Sequence, residues 1–187
     1  MRFLITLLLF SFLFSACQGT GKDAVAEDYV STEKDAVADL LVPNRDSLSY
    51  PVYSSFDEVA ALFDEAPEGE TLVINFWATW CKPCVEELPY FEQLAEETDA
   101  RVVMVSLDFK KDVATKLKKF VETRELKLPI IALADGDYNA WIDRVDPSWS
   151  GAIPVTLIRK GKEQKFHPSK FDNYEELRSV VAAVSSI

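Results

Sequence analysis

The sequence contains few of the residues that build metal sites or disulfide frameworks. It has three cysteines, Cys17, Cys81 and Cys84, and one histidine, His167. Three cysteines are too few for a scaffold held together by disulfides, and they leave no thiols for a four-cysteine zinc site. His167 lies far along the chain from the cysteine pair, which disfavours a copper site shared between them. We therefore expect no metal and no cofactor other than the cysteines themselves.

Basic residues are also scarce. The chain carries 20 Lys and Arg against 31 Asp and Glu, a formal net charge of −11 at pH 7. This balance disfavours nucleic acid and anionic lipid headgroups as partners. The sequence has no glycine-rich nucleotide loop, no Ser/His/Asp set and no paired-carboxylate motif. By contrast, 48% hydrophobic content with twelve Phe predicts a well-packed core of one domain in a chain of 187 residues.

The sequence also lacks an apolar run long enough to span a bilayer comfortably. Residues 3–14 form a short apolar run behind Arg2 and before two small residues, a pattern typical of a secretory leader. Residues 13–17 resemble a lipobox, in which Cys17 becomes the lipidated first residue of a bacterial lipoprotein, although Phe14 departs from the usual leucine. An ordinary signal peptide with a chance cysteine is the alternative. We predict that residues 1–17 are a signal peptide with a lipobox and that the protein is exported, periplasmic and membrane-anchored.

The next segment, residues 18–47, is polar, acidic and poor in aromatic residues. A short alanine-rich unit that begins at Lys22 returns approximately at Lys34, which is too little for a repeat architecture. We predict an acidic flexible tether that holds the domain off a membrane, with a partner-docking helix as the weaker alternative. Residues 48–187 form the predicted domain.

The strongest signal is the sequence Trp80-Cys81-Lys82-Pro83-Cys84. Two cysteines separated by two residues can lie one helical turn apart, close enough to form a disulfide. Residues 71–77 before them read as a buried strand, and residues 85–98 after them have helical periodicity. Cys81 is therefore predicted at the first exposed position of a helix, where free amide donors and the helix dipole favour a thiolate. Cys84 is expected one turn further in, more covered.

The run from Val73 to Cys84, followed by Glu87 and Pro89, resembles the active-site region of thioredoxin-fold proteins. It is similar in particular to the membrane-tethered, extracytoplasmic reductases of the TlpA/ResA type, over roughly residues 48–187. The resemblance implies an α/β, thioredoxin-like fold: a central mixed sheet flanked by helices, with an inserted βα element between Asp108 and Gly151.

Sequence patterns predict the other elements of this domain. The predictions are a helix from Ser55 through Phe63, a strand at 101–107, an amphipathic helix at 112–124, a strand at 128–133, a helical turn at 138–145, a hairpin of 155–160 with 162–166, and a last helix at 174–184 capped by Asn173 or Asp172.

The resemblance also implies roles for residues near the cysteines. Pro154 is expected to be a cis proline packed against the disulfide, with the backbone of Ile153 pairing with an extended substrate. Taken alone, Pro154 also fits the first residue of a strand. Glu87 is expected near the site, where a carboxylate raises thiol pKa or relays a proton, although a surface glutamate is the alternative. Asn75 stands where thioredoxin has a buried aspartate, so the resemblance does not supply thioredoxin's own base.

Three further residues of the motif are given smaller roles. Pro83 fits the first helical turn, where its missing N–H costs nothing. The charge of Lys82 is a modest, solvent-screened influence on the thiolate. Trp80, like Trp77, is expected to serve packing or the substrate surface rather than the chemistry.

Together these features predict an enzyme, a thiol–disulfide oxidoreductase that uses the Cys81–Cys84 pair on protein clients. The resemblance implies a reductase of exported proteins, apocytochrome c among the candidates, that is re-reduced by a membrane electron donor. A disulfide oxidase or isomerase is the alternative within this class. A lipid-anchored binding module with a purely structural disulfide is the alternative outside it. A peroxidase is disfavoured, because those enzymes place a lone peroxidatic cysteine differently.

Overall fold

The computed structural model describes residues 38–43, 48–64, 66 and 69–186. The predicted leader, Cys17 and most of the predicted tether lie outside the described residues. Within them, the strands are β1 (Val52–Tyr53), β2 (Thr71–Trp77), β3 (Arg101–Ser106), β4 (Ile130–Leu133), β5 (Val155–Lys160) and β6 (Glu163–His167).

Helices follow most of these strands. They are α1 (Lys82–Glu97), α2 (Lys110–Asp112), α3 (Lys118–Arg124), α4 (Tyr138–Val145) and α5 (Tyr174–Ser185). A π-helical segment, Val113–Leu117, joins α2 to α3. Two 3₁₀ turns, Phe56–Glu58 and Ala60–Phe63, precede β2.

The strands form one mixed sheet in the order β1-β4-β3-β2-β5-β6. Strand β2 pairs in parallel with β3 and antiparallel with β5, and β4 pairs in parallel with both β3 and β1. The predicted mixed sheet flanked by helices is therefore confirmed. All seven residues of β2 are buried, as expected of a central strand that is covered on both faces.

A hydrophobic core lies on each face of the sheet, and β2 contributes alternate residues to the two cores. Val73 and Trp77 belong to the core that contains both cysteines of the motif, whereas Ile74 and Phe76 belong to the other. Because side chains alternate along a strand, Asn75 lies on the same face as Val73 and Trp77. Its side chain is therefore directed to the face that carries the motif.

The predicted helix from Ser55 through Phe63 is wrong. Ser55 does cap the first turn, in a capping box with Glu58. Val59, at φ −118° and ψ 3°, then departs from helical geometry and separates two short 3₁₀ turns. A correct start signal was followed by too few residues to propagate an α-helix.

The other helices and strands agree better with the sequence patterns. The hairpin of β5 and β6 is confirmed, and so is the last helix, which Asn173 caps by accepting a hydrogen bond from the Glu176 amide. The helix predicted at 112–124 begins earlier, at Lys110, and contains the π-helical segment. Strand β1 has no counterpart among the predictions, because two residues are too few to show the alternation of apolar and polar residues that marks a strand.

Candidate active site

Cys81 and Cys84 form a disulfide where β2 gives way to α1, with their Cα atoms 5.3 Å apart. Cys84 is fully buried. Cys81 is only 6% exposed, so the prediction of an exposed position is wrong. It is nevertheless the more accessible of the two cysteines.

Cys81 is the N-cap residue of α1, in an extended conformation. Its sulfur lies 3.3 Å from the amide nitrogen of Cys84, which donates to it. Pro83, in the first turn, has no N–H to leave unpaired. The same amide and the positive end of the helix dipole are placed where they favour negative charge on the Cys81 sulfur.

The loop before β5 lies against the disulfide. The peptide bond between Ile153 and Pro154 is cis, which confirms the prediction drawn from the resemblance. The Ile153 carbonyl oxygen is 3.7 Å from the Cys81 sulfur. A disulfide sulfur carries no proton to donate, so this is a packing contact.

Glu87 is fully buried, which excludes the alternative of a surface glutamate. One carboxylate oxygen accepts a hydrogen bond from the Asn75 side chain at 3.0 Å, and the other accepts from the Phe171 amide at 2.9 Å. Asn75 also donates to the Thr156 hydroxyl oxygen at 3.0 Å, across the β2–β5 pairing. Asn75 and Glu87 thus belong to one buried polar group beneath the motif.

The environment of Glu87 favours its neutral form. Burial raises the pKa of Glu87 to about 7, against the opposing effect of the hydrogen bonds from Phe171 and Asn75. The Asn75 side-chain oxygen is buried without a hydrogen-bond partner.

A second buried carboxylate, Asp108, holds the turn that leads into Cys81. It accepts hydrogen bonds from the Thr79 amide at 3.0 Å, the Thr79 hydroxyl at 2.5 Å and the Ser106 hydroxyl at 2.8 Å. Sequence reasoning gave this residue no role. The available signal was its position just after buried strand β3, since neighbouring parallel strands bring their carboxyl ends to one edge of the sheet.

The remaining predicted residues differ in their exposure to solvent. Trp80 is 55% exposed, whereas Trp77 is buried and packs on Phe120 with ring centres 5.6 Å apart. Lys82 is exposed, and its amine is 4.0 Å from the Glu86 carboxylate. An exposed pair at that distance contributes little energy, and the predicted influence of Lys82 on the thiolate stays a prediction.

His167 lies apart from these interactions. Its ring stacks on Phe171 at 4.0 Å, and its Nε2 lies 3.3 Å from the Ser169 hydroxyl. Across the described residues, no three His, Cys, Asp or Glu side chains converge to hold a metal ion. None of the helices in that same part of the chain combines the length and the apolar character needed to cross a membrane.

A disulfide between two cysteines at a strand–helix junction, opposite a cis proline, is the arrangement of the thioredoxin-like class. In agreement, the thioredoxin-related protein of Neisseria meningitidis serogroup B matches 63% of this chain and 86% of its own length, with a TM-score of 0.50. At 18% identity this likeness shows the fold alone. The chain belongs to the AhpC/TSA family, whose model matches residues 57–162.

Two relatives share more sequence. The thioredoxin-like protein YneN of Bacillus subtilis (strain 168) is 35% identical over 107 residues, 54% of this chain and 57% of that protein. The thiol-disulfide oxidoreductase ResA of Oceanobacillus iheyensis is 38% identical over 96 residues, 50% of this chain and 45% of that protein. The chain thus matches about half the length of these curated relatives.

Proposed function

We propose that this protein is a membrane-tethered, extracytoplasmic thiol–disulfide oxidoreductase that reduces disulfides of exported proteins. The observation that carries the proposal is the Cys81–Cys84 disulfide at the N-terminus of α1, capped by an amide and packed against Ile153. The name of the ResA relatives supports the same class of reaction.

The reaction starts from the reduced dithiol. The Cys81 thiolate attacks one sulfur of a client disulfide, forms a Cys81–client disulfide and expels the other client sulfur as a thiolate, which takes up a proton. The Cys84 thiolate then attacks the Cys81 sulfur and releases the second client thiolate. Two electrons have passed to the client, which leaves as a dithiol, and Cys81–Cys84 is left oxidised.

Glu87 is the proposed acceptor for the proton that Cys84 must lose before it attacks. It lies three residues after Cys84 on α1, about one turn along the same side of the helix. With a pKa of about 7 it exchanges a proton at neutral pH, as a general base should. Asn75 and the Phe171 amide hold its carboxylate in place and are positioning groups.

The direction of electron flow is tested by the reduction potential of the Cys81–Cys84 pair. A reductase that is recharged by a membrane electron donor is expected near the thioredoxin value of about −270 mV, whereas a strong oxidant lies near about −120 mV. A measured potential near about −120 mV would identify the protein as an oxidase rather than a reductase. Reshuffling of a scrambled client without net reduction indicates an isomerase.

Activity itself is tested by reduction of insulin with dithiothreitol as the electron donor. We expect Cys81→Ser to abolish the reaction and Cys84→Ser to trap clients as mixed disulfides, apocytochrome c among the exported candidates. Cys17→Ser is the matched control and should retain full activity in detergent. An inert wild-type pair, or client binding that survives Cys81→Ser, indicates a binding module with a structural disulfide instead.

The membrane anchor is proposed from the sequence around Cys17. Cys17→Ala should prevent lipid attachment, which mass spectrometry of the exported protein detects, and should move the protein from the membrane to the soluble fraction. If the protein keeps its position and mass after this substitution, Cys17 is a chance residue of an ordinary leader.

A further inference from the structure

An apolar cavity of about 160 Å³ lies beside the disulfide. Every lining residue is uncharged, and α4 supplies part of the wall. The residues that matter here are Trp80, Phe109, Tyr138, Ile142, Trp149 and Ile153. This volume is well below that of a pocket for a drug-sized ligand, and it suits a single side chain.

Two residues of the cavity wall adjoin Cys81. Trp80, which forms one wall, directly precedes Cys81 in the chain. Ile153, which forms another, places its carbonyl oxygen 3.7 Å from the Cys81 sulfur. A client bonded to Cys81 therefore begins its path between these two walls.

Two aromatic side chains stand exposed at the same place. Trp80 is 55% exposed and Phe109 is 52% exposed, and their rings stack with centres 5.9 Å apart. Aromatic residues are enriched where proteins meet partners, because they bury a large apolar area with few rotatable bonds. The exposed pair thus extends the apolar lining of the cavity outward to where a client would lie.

Two basic residues lie at the Phe109 edge of the cavity, although the chain as a whole is acidic. Lys110 and Lys111 follow Phe109, are exposed, and form no ion pair with any residue that the structure describes. The Lys111 amine lies 6.0 Å from the centre of the Phe109 ring. On a chain of net charge −11, these two lysines make the Phe109 edge basic and complementary to a client carboxylate, whereas the carboxylates of Asp135 and Asp108 act on Tyr138 of the same cavity wall.

We propose that this cavity binds an apolar or aromatic side chain close to the client cysteine that bonds to Cys81, with an acidic client residue placed toward Lys110 and Lys111. The inference rests on the proposed oxidoreductase function and names its substrate class: extended segments with a large apolar residue near the cysteine. The preference is exerted at the attack on the client, before Cys84 resolves the mixed disulfide.

The test uses short peptides that contain one intramolecular disulfide, with dithiothreitol as the electron donor. One residue within three positions of a cysteine is varied among Ala, Leu, Phe and Lys, and kcat/KM is measured by chromatography of the reduced peptide. At the preferred position, Leu or Phe should exceed Ala by about tenfold, the gain from burying most of such a side chain. Bis(2-hydroxyethyl) disulfide, which has no side chain, is the reference substrate.

Variants of Ile142 separate binding in the cavity from a general surface effect. Ile142→Trp fills the cavity and should remove the tenfold preference without slowing the reference substrate. Ile142→Ala enlarges it and should shift the preference from Leu toward Phe, a gain that damage to the fold cannot imitate. Ala140→Phe, which adds bulk on the exposed side of α4, is the matched control and should keep the wild-type preference.

A separate measurement tests the role of Lys110 and Lys111. Replacing both Lys110 and Lys111 with Gln should lower kcat/KM several-fold for a peptide with a flanking Glu, and only at low salt, because exposed charges are screened as salt is added. A peptide with Lys in place of that Glu should not lose activity.

Each other result overturns the inference. Equal kcat/KM for all peptides, with exchange intact, overturns the side-chain cavity and leaves the oxidoreductase proposal standing. No reduction of either the peptides or the reference substrate overturns both. A concentration-dependent dimer that Ile142→Trp dissolves assigns the cavity to a second copy of the chain.

Discussion

Two buried carboxylates flank the cysteine motif, and their surroundings differ. Glu87, on α1, meets two donors, the Asn75 side chain and the Phe171 amide. Asp108, just after β3, meets three, two of them from Thr79 in the turn that carries Cys81. Burial raises the pKa of Glu87 to about 7 despite its donors.

The difference separates two uses of a buried acid. A carboxylate whose donors do not offset its desolvation exchanges a proton near neutral pH, which suits proton transfer. A carboxylate whose oxygens each meet donors from one turn fixes the geometry of that turn. Glu87 is thus suited to proton transfer with Cys84, and Asp108 to holding Thr79 and the residues that lead into Cys81.

The largest effect is expected from Asp108→Ala. This change leaves the part-buried Thr79 amide and the buried Ser106 hydroxyl without their partner, so the free energy of unfolding should fall by about 4 kcal/mol, at about 1–3 kcal/mol for each group. Urea unfolding of the oxidised protein at pH 7 measures the loss. Asp108→Asn keeps an acceptor oxygen and should lose less than half as much; equal losses would show that shape, not hydrogen bonding, explains the role.

Glu87→Gln should instead make the folded protein more stable relative to wild type as pH rises. Glu87 has a pKa of about 7 in the folded protein and an ordinary value of 4.5 in the unfolded chain, so the folded state binds the extra proton between these two pH values. The stabilising contribution of Glu87 is then complete below about pH 4.5 and is lost as pH rises through 7, a fall of about 3 kcal/mol in unfolding free energy. Gln, which does not titrate, removes this fall.

The measurement is the difference in unfolding free energy between Glu87→Gln and wild type, both oxidised, at pH 4 and pH 8. The variant should gain about 3 kcal/mol relative to wild type over that interval. Glu96→Gln, on the exposed side of α1, is the control and should show no such change. A difference that does not vary with pH contradicts the raised pKa of Glu87.

The contrast between the two carboxylates also shows what the sequence could reveal. Local patterns predicted β2, the helix after it and the hairpin, because each pattern lies within a short continuous stretch of the chain. The cis proline and Glu87 came from the resemblance. The burial of Glu87 depends on Phe171, which is 84 positions away in the chain, and no local pattern reports such a contact.

The predictions that were wrong or missing also depend on contacts between residues far apart in the chain. The sequence predicts an exposed Cys81 at the start of its helix, but the carbonyl oxygen of Ile153, 72 positions later, packs 3.7 Å from its sulfur. Strand β1 pairs with β4 through only two residues, so its existence depends on a distant partner. Asp108 was detectable, since an acidic residue at the end of a buried strand next to the cysteine-bearing strand falls at the active edge of the sheet.

The smallest effect, from Thr79→Val, isolates one bond of the Asp108 group. Valine keeps the shape of threonine and the amide that donates to Asp108, and it removes only the hydroxyl donor at 2.5 Å. The unfolding free energy should fall by about 1 kcal/mol, the net value of one hydrogen bond. Thr115→Val is the control, because its hydroxyl makes only two long bonds of 3.4 Å to backbone carbonyls, and it should change stability by less than about 0.5 kcal/mol. If the two variants lose the same amount, the Thr79 hydroxyl does not hold the turn, and Asp108 acts on it through the amide alone.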